Sequence, residues 1–159
     1  TVWNGVNATY LSNPSGGTSF ASSINDAGQV VGTAGGYATL WSDGAATTLG
    51  IGQALSISGN GLIAGYSFTQ DNNQFAALWN NGETIDLNSY LSDAEKSAGW
   101  LLTEAAGVNS EGYVVGKAIN MNTGAVAGFV TPVPEPETYA LMMGGLGLVG
   151  AAVRRKKAA

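Results

Sequence analysis

Apolar and polar residues alternate along this chain in short runs rich in Val, Ile, Leu, Ala and Trp, and polar turns carrying glycine separate the runs. A period of two broken in this way predicts half-buried strands rather than helices. The runs recur as phrases. Trp3, Trp41 and Trp79 fall 38 residues apart and open the same wording: Val2-Trp3-Asn4-Gly5, Leu40-Trp41-Ser42-Asp43-Gly44 and Leu78-Trp79-Asn80-Asn81-Gly82. A second phrase occurs three times, as Ser23-Ile24-Asn25-Asp26-Ala27-Gly28-Gln29-Val30-Val31-Gly32, as Ser56-Ile57-Ser58-Gly59-Asn60-Gly61-Leu62-Ile63-Ala64-Gly65, and as Gly107-Val108-Asn109-Ser110-Glu111-Gly112-Tyr113-Val114-Val115-Gly116. Gly61 precedes Trp79 by 18 residues, and Gly112 precedes Val130 by the same 18. Ala127-Gly128-Phe129-Val130 therefore reads as a degenerate third copy of Ala76-Ala77-Leu78-Trp79. Such self-similarity is an internal repeat, and it governs the fold.

One unit predicts four short strands. An apolar residue and Asn or Ser lead into a turn that ends on glycine, where the chain needs positive φ. A β-branched run such as Gln29-Val30-Val31 follows as the second strand. The tryptophan phrase is the third, and Asp43-Gly44 or Asn81-Gly82 turns it into the fourth as a tight hairpin. Thr47-Thr48-Leu49-Gly50 and Glu83-Thr84-Ile85-Asp86-Leu87 are those fourth strands. One helix interrupts the series: Ser92 as N-cap, Glu95 three residues on and Gly99 as the terminator predict a capped segment before a strand at Trp100-Leu101-Leu102. A four-stranded unit of this length has the size of a propeller blade. The expected fold is all-β, of repeated four-stranded, partly propeller-like units. The chain opens inside a repeat, so it is expected to be a piece of a larger parent protein that carried an export signal.

The alternation ends at residue 131. Val133-Pro134-Glu135-Pro136-Glu137 follows, and its prolines predict a stiff extended linker over residues 132–137. Residues 138–153 carry no charge, and Gly144, Gly145, Gly147 and Gly150 would weaken a soluble helix there. In a membrane such glycines are tolerated, and 16 residues at roughly 1.5 Å each span about 24 Å, a little under a bilayer's hydrocarbon core. Arg154, Arg155, Lys156 and Lys157 then mark a cytoplasmic tail over residues 154–159, by the excess of cations on that side. Residues 1–131 would lie outside the cytoplasm.

Charge and composition narrow the chemistry. Residues 1–132 carry nine carboxylates against Lys96 and Lys117, a net −7, which argues against a nucleic-acid partner. Cysteine and histidine are absent, so thiolate catalysis, disulfides, histidine bases and the common zinc sets are excluded. Paired carboxylates would suit a glycosidase or lyase. Asp26 and Glu111, however, sit just before turn glycines, and Asp43 directly precedes its own, which turn chemistry explains. Asp71-Asn72-Asn73-Gln74 is a dense oxygen cluster without the alternating spacing of a calcium loop. Tryptophans at a fixed phase of the repeat are expected in the core, and Trp100, outside that phase, is the freer candidate for stacking on a sugar. No catalytic residue, metal site or cofactor is assigned.

Two resemblances add to this reading. Val133-Pro134-Glu135-Pro136, a short glycine-rich apolar span and Arg154-Arg155-Lys156-Lys157 at the terminus resemble the PEP-CTERM sorting signal. That resemblance implies an exported protein of a Gram-negative bacterium and a membrane cysteine protease, exosortase, as the partner that recognises and processes the tail. It assigns Val133, Pro134, Glu135, Pro136, Arg154, Arg155, Lys156 and Lys157 to the sorting signal, with residues 138–153 as membrane anchor of the precursor. The repeated phrases resemble the HAF repeats of bacterial extracellular proteins, with Ser58 where that family prefers asparagine. Together they imply a non-catalytic β-repeat domain delivered to the cell surface or matrix, with extracellular polysaccharide or biofilm as the associated material. The other reading is an exported polysaccharide hydrolase or lyase on a propeller-like scaffold.

Overall fold

A computed structural model of the chain describes residues 2–4, 7–14 and 16–133. These are predominantly strands in antiparallel pairs. β1 (Val2–Asn4) and β2 (Asn7–Thr9) form a two-stranded ribbon. β3 (Ser19–Ile24), β4 (Val30–Ala34), β5 (Tyr37–Ser42), β6 (Ala45–Ile57), β7 (Ile63–Phe68), β8 (Gln74–Asn80) and β9 (Glu83–Asp86) are hydrogen-bonded in sequence order. β10 (Trp100–Val108), β11 (Tyr113–Asn120) and β12 (Val126–Pro132) form a separate three-stranded sheet.

The seven-stranded ladder is two four-stranded units fused through one strand. β6 pairs with β5 as far as Ile51 and with β7 from Gly52 onward. Between those halves Gly50 and Gly52 take φ of 148° and 130°, which lets one chain serve as the last strand of the first unit and the first strand of the second. The third unit is β10–β12. Two tight hairpins form as the sequence predicts: Asp43-Gly44 and Asn81-Gly82 all have positive φ, the requirement of a turn whose twist matches the strands it joins.

Units stack face to face, and the period-two pattern assigns each side chain to one interface. Val31, Ala38, Ala54, Ile57, Ile63, Ala77 and Trp79 fill the core between the first and second units. On the alternate positions of the second unit, Leu62, Ala64, Ala76 and Leu78 pack against Leu102, Ala105, Val114 and Ala118 of the third. Val30, Ala34 and Trp41 close the other face of the first unit against Leu11. The middle unit is thus buried on both sides, which is why its β8 reads as a nearly continuous apolar run.

Two expectations are corrected. The sheets are open: none closes on itself, and the described residues form no propeller, whose closure takes about four blades. The place of a fourth strand in the third unit, beyond β12, falls outside the described residues. Finally, the degenerate phrase of that unit is one residue out of step. Gly65 pairs with Ala77, but its counterpart Gly116 pairs with Phe129, so Val130 occupies the register position of Leu78 and Thr131 that of Trp79. A slip of one residue exchanges the two faces of a strand.

The helix lies where its caps place it. α1 (Asp93–Ser97) has Ser92 as N-cap, with the Glu95 carboxylate bonded back to the Ser92 N–H at 2.8 Å. Ala98 is the C-cap residue, and Gly99, φ 88°, follows it in the left-handed conformation. A 3-10 turn at Leu87–Tyr90, beginning at Leu87 where the sequence predicts the end of a strand, brings Asn88 to the edge of β10. Its side chain accepts from the Leu102 N–H at 2.8 Å and donates to the Leu102 carbonyl at 3.0 Å, replacing a neighbouring strand for one residue.

Candidate processing site at the end of the β module

Three equivalent turns end the first strand of each unit, and the last of them holds the exit of the chain. In the first, Asn25 Oδ1 accepts from the Gln29 N–H at 3.0 Å, and the Gly28 N–H donates to the Asn25 carbonyl at 3.0 Å. In the second, Ser58 Oγ accepts from the Leu62 N–H at 3.0 Å. In the third, Asn109 Oδ1 accepts from the Tyr113 N–H at 2.9 Å. Serine thus performs the asparagine's task in the second copy, because either side chain presents an oxygen two bonds from Cβ or nearer, within reach of the same N–H. Gly28, Gly61 and Gly112 close the turns with φ of 75°, 87° and 79°.

The third turn does more. The Gly112 carbonyl accepts a hydrogen bond from the Val133 N–H at 2.8 Å. A Cβ on Gly112 would lie 2.6 Å from the Val133 carbonyl oxygen, so glycine is needed there for the close approach as well as for its φ. Val133 itself is 7% exposed and belongs to the core shared by the second and third units, with Leu62, Leu78, Leu87 and Val114. β12 reaches it fully paired, from Val126 opposite Ile119 to Pro132 opposite Tyr113. Of the residues that the sequence assigns to the sorting signal, Val133 is therefore part of the folded core. Pro134, Glu135, Pro136, Arg154, Arg155, Lys156 and Lys157 lie outside the described residues, as does the expected membrane span over 138–153. Among the described residues no helix is long and apolar enough to cross a membrane.

The model of the PEP-CTERM protein-sorting motif matches residues 132–156. The chain carries this sorting signal. It marks an exported surface protein, with a membrane-anchoring signal at its C-terminal end, that exosortase targets. The match begins at Pro132, the last residue of β12, so the motif and the module share their boundary. No curated protein and no solved structure matches the chain.

Elsewhere the polar side chains serve the fold. Asp43 occupies a hairpin turn, Asp86 accepts from the Asn88 N–H at 2.9 Å to start the 3-10 turn, and Glu95 completes the capping box. The Ser92 hydroxyl, followed by the Ser92 N–H, holds the Glu95 carboxyl below the usual carboxylate range. Glu104 is opposite Lys117 in the ladder, and burial, with the Glu104 charge as a smaller cause, pushes the Tyr66 hydroxyl up. Among the described residues no group of three or more His, Cys, Asp or Glu is placed to hold a metal ion.

The aromatic residues divide in the same way. Trp41 and Trp79 are each 2% exposed, so neither presents a face to a sugar. Trp41 Nε1 donates to the Ser12 carbonyl at 2.6 Å, whereas Trp79 Nε1 is buried without an acceptor among the described residues. Trp100 is half-buried against the core of the second and third units. A cleft of about 250 Å³ beside Trp41 is lined by Tyr10, Leu11, Ser19, Phe20 and Ala21, with no carboxylate or cation among them.

Proposed function

We propose that the chain is an exported, exosortase-sorted surface or extracellular-matrix protein of a Gram-negative bacterium, with residues 1–131 forming a non-catalytic module of HAF-type repeats associated with exopolysaccharide or biofilm. The observation that carries the reading is the sorting motif joined to the end of a folded β module. The repeat assignment is supported by the three matched turns and by the stacking of units through alternate faces of their strands. A module without catalysis is supported by the carboxylates with assigned work in turns and caps, Asp43, Asp86 and Glu95. In the precursor, residues 138–153 would hold the protein in the inner membrane. Arg154, Arg155, Lys156 and Lys157 would fix its orientation, and Pro134-Glu135-Pro136 would be the segment recognised. These residues are a substrate for another enzyme.

The test is the intact mass of the protein from a Gram-negative host with and without its exosortase. Loss of roughly the last 20 residues only when the protease is present is the expected result, that length being the motif beyond its extended linker. An uncut tail in both strains would reduce the segment to a plain membrane anchor. Reproducible cleavage of the host's polysaccharide by the purified module would replace the non-catalytic reading with the hydrolase or lyase one.

A further inference from the structure

We propose that the outer face of the third unit, carried by β10–β12, is where two copies of this chain pair, each packing that sheet against its counterpart across a two-fold axis. Tyr113 and Val115 on β11 and Val126 and Val130 on β12 are large apolar residues left exposed there. They share one face, because side chains alternate along a strand and the register sets Tyr113 opposite Pro132, Val115 opposite Val130 and Ile119 opposite Val126.

In the second unit the same face is already an interface. Ala64 and Leu78, which stand where Val115 and Val130 stand, are buried beneath the third unit. A sheet with one face in water normally places polar residues at such positions. The third unit instead keeps the apolar pattern of a face that receives another sheet. A polar contact is missing with it. In the first turn Asn25 Nδ2 reaches forward to the Ser58 carbonyl of the next unit at 3.1 Å. Asn109, at the same place in the third turn, uses Oδ1 within its own turn, and its amide nitrogen has no acceptor among the described residues.

The occupant follows from which unit faces are free. The first unit's outer face, which a head-to-tail stack would present, is closed: Val30, Ala34 and Trp41 are buried against Leu11, and Trp41 Nε1 donates to the Ser12 carbonyl. Both faces of the second unit are buried. Among the described residues a copy therefore offers its neighbour the outer face of the third unit, and like meeting like is the isologous contact of a two-fold dimer. Charge agrees with this. Residues 1–132 carry a net −7, which repels a second copy over most of the surface. The strands β10–β12 carry Glu104 and Lys117, opposite each other in the ladder, and no other charge. Two such faces meet without net repulsion.

The face is small. Three strands of about seven residues cover roughly 14 by 23 Å, well short of the ~800 Å² per partner of a standard stable complex. Dilute protein is therefore monomeric with the face bare, and dimers form at concentrations on the order of 100 μM.

Sedimentation equilibrium of the full chain in detergent, from roughly 10 μM to 1 mM, tests the pairing. The mass is expected to rise from monomer toward dimer. Val130→Lys, at an exposed position that leaves the core untouched, is expected to move that rise to at least about tenfold higher concentration, since it sets like charges against each other. A monomer throughout the range, or association that Val130→Lys leaves unchanged, would overturn the proposal. Assembly beyond a dimer would mean head-to-tail stacking and would overturn the two-fold arrangement. The chain has no cysteine, so single cysteines report which surfaces meet. Val115→Cys and Val130→Cys are expected to cross-link between copies through a short bis-maleimide at dimer-forming concentration, and Asp71→Cys, in an exposed turn of the second unit, is not. Equal yields from Asp71→Cys, or no cross-link from either valine position, would place the contact elsewhere and sink the assignment of this face.

Discussion

The second and third units are built on the same phrase, yet one is buried on both faces and the other on one. Ala64 and Val115 are equivalent, each three residues beyond its turn glycine, and their partners across the ladder are Leu78 and Val130. Ala64 and Leu78 are both fully buried under the third unit. Val115 and Val130 are 48% and 66% exposed, with Val126 beside them at 65%. The residues facing the preceding unit, by contrast, behave alike: Ile63 and Val114 are both core. An aromatic ring also lies over the equivalent glycine in each, Trp79 over Gly65 and Phe129 over Gly116. A repeat therefore specifies its own sheet and the face toward its predecessor, but the burial of its other face depends on what comes next.

The largest test of that contrast is a pair of truncations. Leu78→Ala removes a fully buried side chain between two sheets and is expected to cost about 2–5 kcal/mol, with a residual cavity as part of the loss. Val130→Ala, at the same place in the next unit, is expected to change stability by no more than about 0.5 kcal/mol. Chemical denaturation of both variants measures the difference. Equal costs would mean that the outer face of β12 is covered in solution, and that exposure is not what separates the units.

The same contrast explains what the sequence could and could not reveal. The hairpins at Asp43-Gly44 and Asn81-Gly82, the glycine-ended turns and the helix caps are local, and each is set by side chains within a few residues of the backbone they satisfy. The sorting signal was legible for a similar reason, as a linear arrangement of proline, apolar span and cations. The register of β12 was not. Counting from Gly112 placed Val130 with Trp79, but the aromatic that covers Gly116 is Phe129, directly opposite it, and tertiary packing shifted the strand by one. Nor does the phrase show why it ends on glycine. A Cβ at Gly32, Gly65 or Gly116 would collide with the carbonyl of Phe20, Gln53 or Glu104 on the neighbouring strand, a constraint visible only once the strands are paired. The burial of Val133 was equally hidden, because its core partners Leu62 and Leu87 come from an earlier unit.

A smaller effect separates the turns of the two units. Ser58 is 4% exposed, and its hydroxyl satisfies the N–H of Leu62, itself buried, at 3.0 Å. Asn109 does the equivalent work for Tyr113 at an exposed site. Ser58→Ala is expected to cost about 1–2 kcal/mol, since the N–H it abandons is cut off from water. Asn109→Ala should cost less, roughly 0.5–1 kcal/mol, because water can replace the lost oxygen. Thermal unfolding of the two variants orders them, and a larger cost for Asn109→Ala would show that the third turn carries its unit.

The smallest effect belongs to α1, outside the stacked sheets. The Glu95 carboxyl accepts from the Ser92 hydroxyl at 2.6 Å and from the Ser92 N–H at 2.8 Å, and both bonds favour its charged form. Its folded pKa is therefore below the unfolded value. The sign follows: the capping contribution is complete above the usual glutamate pKa and is lost as pH falls through the lowered folded value. Because the carboxylate is in full contact with solvent, the consequence is local, a fraying of the helix between Leu91 and Gly99 rather than unfolding of the units. A carbon-detected NMR titration should give Glu95 a midpoint below the usual glutamate value. In Ser92→Ala that midpoint should rise toward the ordinary value, since the hydroxyl is the larger of its two causes. If the midpoint does not move, the backbone N–H alone sets the charge of Glu95, and the capping box is a one-way bond.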